Sequence, residues 1–501
     1  MLSLNFLSTI FAFIPFAIFF YLLLFKKLSL LKVSLTTLIL ATALVVVYWQ
    51  VFPQFIFYSY VKGILVSLDI FFIIFGAIFL LDILKRTGII KNIFYYLESI
   101  SPDYRILVII LAWFFEGFLE GTAGFGTPST VVAPILVALG LSPISAVVIA
   151  LLGNSTSVAF GAAGTPTRIG FFGINDPSIS IYGSLFNLVG LLVPVAMLWV
   201  LVSSQKNRKT QFLEALPFAL WSGVAFVVPS LIVSFFGQEF PSILGSIFGF
   251  IIILLTTKAK LFIPKNIRRF NNAKTAVANL SLIQVLFPYL ILILLLFLGK
   301  FFLSQAIITI PFGINHQINL FNPGFAFILT AIFVLVIKHE SKNFDFKSVN
   351  TAFNQTIKPY LVIAFMSIFT QLMIISSQNS SGHLSIIELI AKIFQSHLLP
   401  FFAPFIGAFG SFITGSATVS NLMFGNFLNL TSLSLLINPS IILALELVGA
   451  SAGNMIALAD ILTAETVVGL KNQEIRIINK IILPCFIYLL LVATLGLIFI
   501  R

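Results

Sequence analysis

The stretch Glu116-Gly-Phe-Leu-Glu120-Gly-Thr-Ala-Gly-Phe-Gly-Thr-Pro-Ser-Thr130 lies in a run apolar enough to cross a membrane, yet it holds two carboxylates, four glycines and a proline. Backbone freed by Gly and Pro cannot face lipid, because each unpaired polar group in hydrocarbon costs several kcal/mol. The segment must be buried in protein or line a watery cavity. It resumes at Gly153-Asn-Ser-Thr-Ser157 and at Gly161-Ala-Ala-Gly-Thr-Pro-Thr167.

The surrounding chain fixes the solvent. Of 501 residues, 59% are hydrophobic and 9% charged, whereas a soluble domain carries about 25% charged residues. Too few charges remain to cover a water-facing surface, and the 57 phenylalanines suit acyl chains. A transmembrane helix needs about 20 apolar residues, and roughly 12 to 14 such stretches can be counted. The net charge of +12 does not point to nucleic acid. Its basic residues sit in short loops, such as Lys26 to Lys32, Lys85 to Lys91, Lys206 to Lys209, Lys258 to Lys274, Lys338 to Lys358 and Lys471 to Lys480. That is the positive-inside pattern, and it places the N-terminus outside. Met1 to Phe25 lacks a basic leader and a small-residue cleavage site, so it reads as the first span rather than a signal peptide. Ile89 to Ile100 reads as an interfacial helix. One cysteine, Cys485, and four scattered histidines (His316, His339, His383 and His397) argue against a disulfide framework, a metal site or any cofactor.

A second stretch matches the first. Gly407-Ala-Phe-Gly-Ser-Phe-Ile-Thr-Gly-Ser-Ala-Thr-Val-Ser-Asn421 is followed by Gly449-Ala-Ser-Ala-Gly-Asn454. Gly124 and Gly415 are 291 positions apart, and the Gly-Asn pairs ending at Asn154 and Asn454 are 300 apart. Transporters commonly use inverted repeats whose interrupted helices meet at the membrane midplane. The expected fold is therefore an all-α polytopic membrane protein with about 12–14 transmembrane helices and two broken or re-entrant hairpin regions. One transmembrane domain would span 1–501, with inverted repeats at about 60–256 and 359–501.

Broken helices offer an anion unsatisfied N–H groups at the positive end of a dipole. The candidate binding positions are Gly124, Gly126, Thr127, Ser129, Asn154, Ser155 and Thr156 in the first half. In the second half they are Thr414, Ser416, Thr418, Ser420, Asn421 and Asn454. Taken singly, such small polar residues are more often helix–helix glue; as a set they favour a site. Glu116 and Glu120, one turn apart, share a helix face. Intramembrane carboxylates are functional hypotheses by default, and these two are candidate proton carriers; the competing reading is that Glu116 snorkels to an interface. Arg168 either meets a substrate carboxylate or marks the end of a span. Asp69, Glu446, Asp460 and Glu465 are further acids that sequence does not rank.

Phe118-Leu-Glu-Gly-Thr-Ala-Gly-Phe-Gly-Thr-Pro128, Gly153-Asn-Ser155, Val158-Ala-Phe-Gly-Ala-Ala-Gly-Thr-Pro166 and Thr414-Gly-Ser-Ala-Thr-Val-Ser-Asn-Leu-Met-Phe-Gly425 resemble the L-lactate permease family in order and spacing over nearly the whole chain. The resemblance implies transport of lactate or a related 2-hydroxy monocarboxylate such as glycolate across the cell membrane, coupled to protons. It also marks two departures. Ala417 stands where the family usually has an acid or amide, and Asn454 where it usually has a lysine. Loss of both partners of one ion pair costs much less than loss of either alone. The expected partners are a small organic anion, protons and the lipid bilayer, without nucleic acid; a homo-oligomer is compatible. A second reading keeps the transporter and changes the cargo to another organic anion, coupled to sodium. A membrane-embedded enzyme would need a nucleophile–base or metal constellation, and none is found. A proton-channel subunit would show no transport when reconstituted alone.

Overall fold

The computed structural model describes all residues except 1–5, 27, 91, 93–95, 97–99, 125–126, 175, 206, 270–279, 304–305, 311–315, 338–345 and 501. For Leu24, Asp69, Ile70, Thr127, Leu282, Ile307, Ile310 and residues 316–319 it describes the backbone alone.

Apolar runs become long helices because in hydrocarbon each N–H and C=O must pair within its own segment. Among the described residues, ten helices are long and apolar enough to cross a membrane, from Phe6–Leu24 to Glu474–Phe499. The pair Pro143–Asn154 and Ser157–Arg168, bent by 50°, makes an eleventh. Pro323–Ile337 and Leu399–Thr414 are apolar but shorter, the expected stretch from Ile106 is the interrupted run 104–122, and Thr127–Ala138 is a further short apolar helix. A small antiparallel pairing of Ile307–Ile310 with His316–Asn319 interrupts the all-helical pattern in a loop. The expected interfacial helix at Ile89 to Ile100 falls largely outside the described residues, as does His339. Exposed Val47, Ile283, Phe301 and Ile475 give the helices the apolar exterior that lipid requires.

Two long helices, Pro53–Arg86 and Lys347–Ile375, cross with Gly63 set directly against the Ile368 backbone. Around them lie two hairpins. The first begins at Tyr104, whose N–H donates to the Arg268 carbonyl at 2.8 Å in the basic linker. A fully buried Arg105 staples this end: it pairs with Asp103 at 2.7 Å and Glu214 at 3.0 Å, and donates to the Gln211 and Asn266 carbonyls. Such a charge is tolerable in a dry site only because every donor direction is answered.

Close glycine contacts give the direction of the next segment. Gly153 rests on Ala112 and Gly161 on Glu120, so residues 143–168 climb alongside residues 104–122. Pro143 therefore starts at the same end as Tyr104, and the first hairpin leaves from the end at which it entered. In the second half Gly449 rests on Pro404 and Gly453 on Ala408, so Pro439–Asn454 runs alongside Leu399–Thr414. Here Ser440 donates to Asp176, which lies beyond Arg168 at the opposite end. The two hairpins open towards opposite sides.

Candidate functional site

In the first hairpin, helix Tyr104–Ile109 passes into a π-helical turn at Ile110–Phe115, then into helix Glu116–Thr122. A π-turn re-aims the side chains that follow it and is frequent at functional sites. Glu116 is fully buried beside Gly153, and neither of its oxygens has a hydrogen-bond partner. It does not snorkel. One turn on, Glu120 sets Oε1 against Gly161 and Gly124, while Oε2 is unpartnered. The hairpin tip begins at Gly124 with φ +55°, a left-handed conformation that glycine adopts without a Cβ penalty.

The neighbouring segment breaks as well. Helix Pro143–Asn154 ends, a 3₁₀ turn spans Ser157–Phe160, and Ala162, Ala163 and Gly164 follow with φ of 42°, 51° and 78°. Left-handed alanines cost about 1–2 kcal/mol each. Strain of this kind persists only where the surroundings over-determine the backbone. Here Gly124 lies over Ala162, and Gly164 abuts the Gln238 carbonyl.

The second hairpin makes its break with a single residue. Helix Leu399–Thr414 stops on Gly415 at φ +70°, and Ser416 turns extended to cap helix Ala417–Ser434. The Ser416 hydroxyl accepts from the Val419 N–H at 3.3 Å. The N–H groups of Ala417 and Thr418 precede the first intrahelical bond and are open to an anion.

Both breaks line one cavity. Its walls are Glu120, Gly124, Val158, Gly161, Ala162, Thr165 and Pro166 from the first half, and Gly415, Ser416, Ala417, Thr418 and Asn454 from the second. The volume of about 30 Å³ admits roughly two waters, so a hydroxy acid enters only if the walls part. Glu120 is the one charged residue among them. Ala417 and Asn454, the two positions that the resemblance singled out, face this same space. Asn454 Nδ2 donates to Asp460 Oδ2 at 2.8 Å, and its Oδ1 accepts from Ser411 at 3.2 Å.

Other candidates are brought near without facing the cavity. Asn421 donates to the Pro166 carbonyl at 2.9 Å, and Ser451 donates to the Ser155 carbonyl while accepting from the Ala159 N–H at 2.9 Å. These bonds clamp the two halves together. The Ser420 hydroxyl bonds the Gly407 carbonyl of the neighbouring helix at 2.9 Å, which is the helix-glue role, whereas Ser155 and Thr414 bond carbonyls of their own helices at 2.6 and 2.8 Å. The Thr156 carbonyl accepts from Asn187 at 2.7 Å, and Asn187 in turn accepts from the Tyr488 hydroxyl. Ser129 is buried in its own helix. Arg168 donates to the Phe321 carbonyl at 2.9 Å and is not part of the cavity wall. Gly126 and the side chains of Thr127 and Asp69 lie outside the described residues. Glu446 is fully buried with both oxygens unpartnered, and Glu465 accepts from the Gln473 N–H at 3.3 Å. Sequence reasoning passed over Gly161 and Thr165 as site residues, although the density of Gly and Thr there was a signal. Nothing in the sequence marks Asn187 or Tyr488.

The profile of the L-lactate permease family matches residues 8–501. An L-lactate permease of Streptococcus iniae is 31% identical over 393 residues, covering 74% of this chain and 79% of that protein. An L-lactate permease of Bacillus subtilis is 27% identical, covering 97% and 94%. A glycolate permease of Escherichia coli is 26% identical, covering 93% and 91%.

Proposed function

The chain belongs to the L-lactate permease family, and from that premise we propose that it carries L-lactate or a related 2-hydroxy monocarboxylate such as glycolate across the cell membrane, in symport with a proton. It is a multi-pass membrane transporter. The observation that supports the finer reading is the cavity where both broken hairpins converge, with Glu120 as its one charged group.

The chemistry follows from that charge. A substrate carboxylate docks on the open N–H groups of Ala417 and Thr418, with hydroxyls of Ser416 and Thr418 available to the 2-hydroxyl. Two negative charges about 4 Å apart repel by roughly 4 kcal/mol at an effective dielectric of 20. An ionised Glu120 would therefore expel the anion. A protonated Glu120 admits it, so proton and substrate load together and leave together. Hairpins opening to opposite sides are what inverted repeats at about 60–256 and 359–501 would produce. Rocking one half against the other would then expose the cavity alternately.

Purified protein in proteoliposomes tests the reading. Labelled lactate should accumulate under an inward proton gradient, be competed by glycolate, and show no accumulation when a sodium gradient alone is imposed. Accumulation on sodium alone would transfer the coupling to that ion. Failure of unlabelled lactate to compete with another transported acid would change the cargo.

The departures at Ala417 and Asn454 yield a second test. Ala417→Asp places an unpaired carboxyl in the cavity beside Glu120, and breaking a buried pair costs about 3–5 kcal/mol. Uptake by this variant should fall by about 100-fold or more. Adding Asn454→Lys supplies the missing partner and should recover at least about tenfold of the loss. A double variant as inactive as the single one would show that the two positions do not face each other across a substrate site.

A further inference from the structure

A second cavity, of about 620 Å³, runs up the outside of the bundle between the span ending at Val202 and helix Glu474–Phe499. Its walls are apolar, with Trp199, Phe212, Leu483, Ile487 and Leu491 prominent, and its floor reaches Tyr488. From Lys480 to Leu491 it follows one helix for eleven residues, about 16 Å at 1.5 Å per residue. That is close to half of the roughly 30 Å hydrocarbon core, the depth of one leaflet. The mouth is polar and basic. Lys480, Asn479 and Ser203 line it, and Arg208, Lys209, Lys471 and Arg476 lie at the same end of the molecule. Among the described residues no carboxylate pairs with Lys480.

We infer that this groove is a binding site for an anionic phospholipid of the leaflet on the basic side, with one acyl chain along the groove and the headgroup phosphate on Lys480. Length, apolar walls and a lining whose one charged residue is Lys480 coincide at one place, although Glu474 stands in the first turn of the same helix. A zwitterionic lipid would fill the walls equally well but bring no net charge to Lys480, and basic pockets between helices on this side of a membrane select anionic headgroups.

Trp199 reports occupancy, because it is 49% exposed in the groove while Trp49 and Trp113 are buried and the half-buried Trp221 lies outside it. Quenching by brominated phosphatidylglycerol or brominated phosphatidylcholine would be measured in mixed vesicles, taking the difference between the wild-type protein and Trp199→Phe. The anionic lipid should reach half-maximal quenching at about fivefold lower mole fraction, and Lys480→Gln should abolish that preference. Equal quenching by the two lipids would reduce the groove to ordinary lipid contact and overturn the proposal. So would a preference that survives Lys480→Gln. Absence of quenching by either lipid would mean that a protein surface, such as a second copy, covers the groove.

Discussion

Glu120→Gln should abolish concentrative uptake while leaving exchange largely intact. The amide has the shape of the carboxyl it replaces, so the cavity keeps its walls. What it loses is the proton. In the wild-type protein a one-unit pH gradient supplies about 1.4 kcal/mol, enough for roughly tenfold accumulation at one proton per substrate. The variant should bring internal lactate no higher than external lactate under the same gradient. It should still exchange labelled for unlabelled lactate, because a neutral side chain at 120 does not repel the anion and exchange needs no net proton movement. Glu116→Gln is the control. Glu116 is one turn away and equally buried but does not line the cavity, so its accumulation ratio should stay near that of the wild type. Retention of tenfold accumulation by Glu120→Gln, with loss in Glu116→Gln, would move the proton to Glu116.

Much of this arrangement was legible in the chain, and the part that was not has a common cause. Gly124 and Gly415 stand out in apolar runs because only a break at membrane depth calls for them, and both turned out left-handed at hairpin tips. The two Gly-Asn pairs likewise mark helix ends at Asn154 and Asn454. The resemblance even singled out Ala417 and Asn454 before any geometry placed them in one cavity. Side-chain direction was not legible. Ser155, Thr414 and Ser420 have the same composition signal as Ser416 and Thr418, yet their hydroxyls bond backbone carbonyls. A serine or threonine in a helix always has that alternative within reach, and helix rotation decides which one is taken. Arg168 shows the same limit at longer range. Its partner is the Phe321 carbonyl, 153 positions away, on a loop whose path no local pattern encodes.

Gly161→Ala should cost nearly as much transport as loss of Glu120, for a reason that a shorter carboxylate can undo. Gly161 has φ −62° and ψ 154°, a conformation open to any residue, so alanine strains no backbone there. The obstacle is the added methyl, which would fall on Glu120 Oε1 and 3.1 Å from its Cδ. The carboxyl must swing away from the substrate. A displacement of about 1 Å at a reacting or binding group can cost 100-fold, and a loss of about 10- to 100-fold in uptake is expected. Thermal stability should change little, because the obstructing atom is the free end of a flexible chain. Gly153→Ala makes the contrast, since its methyl meets the rigid backbone carbonyl of Ala112. Overpacking of that kind costs about 1–3 kcal/mol and should lower the unfolding temperature. Combining Gly161→Ala with Glu120→Asp withdraws the carboxyl by one methylene and makes room for the methyl. The pair should transport better than Gly161→Ala alone, giving a positive coupling in a double-mutant cycle. Normal uptake by Gly161→Ala, or a double variant worse than the product of the single losses, would mean that Glu120 does not need the space that Gly161 leaves for it.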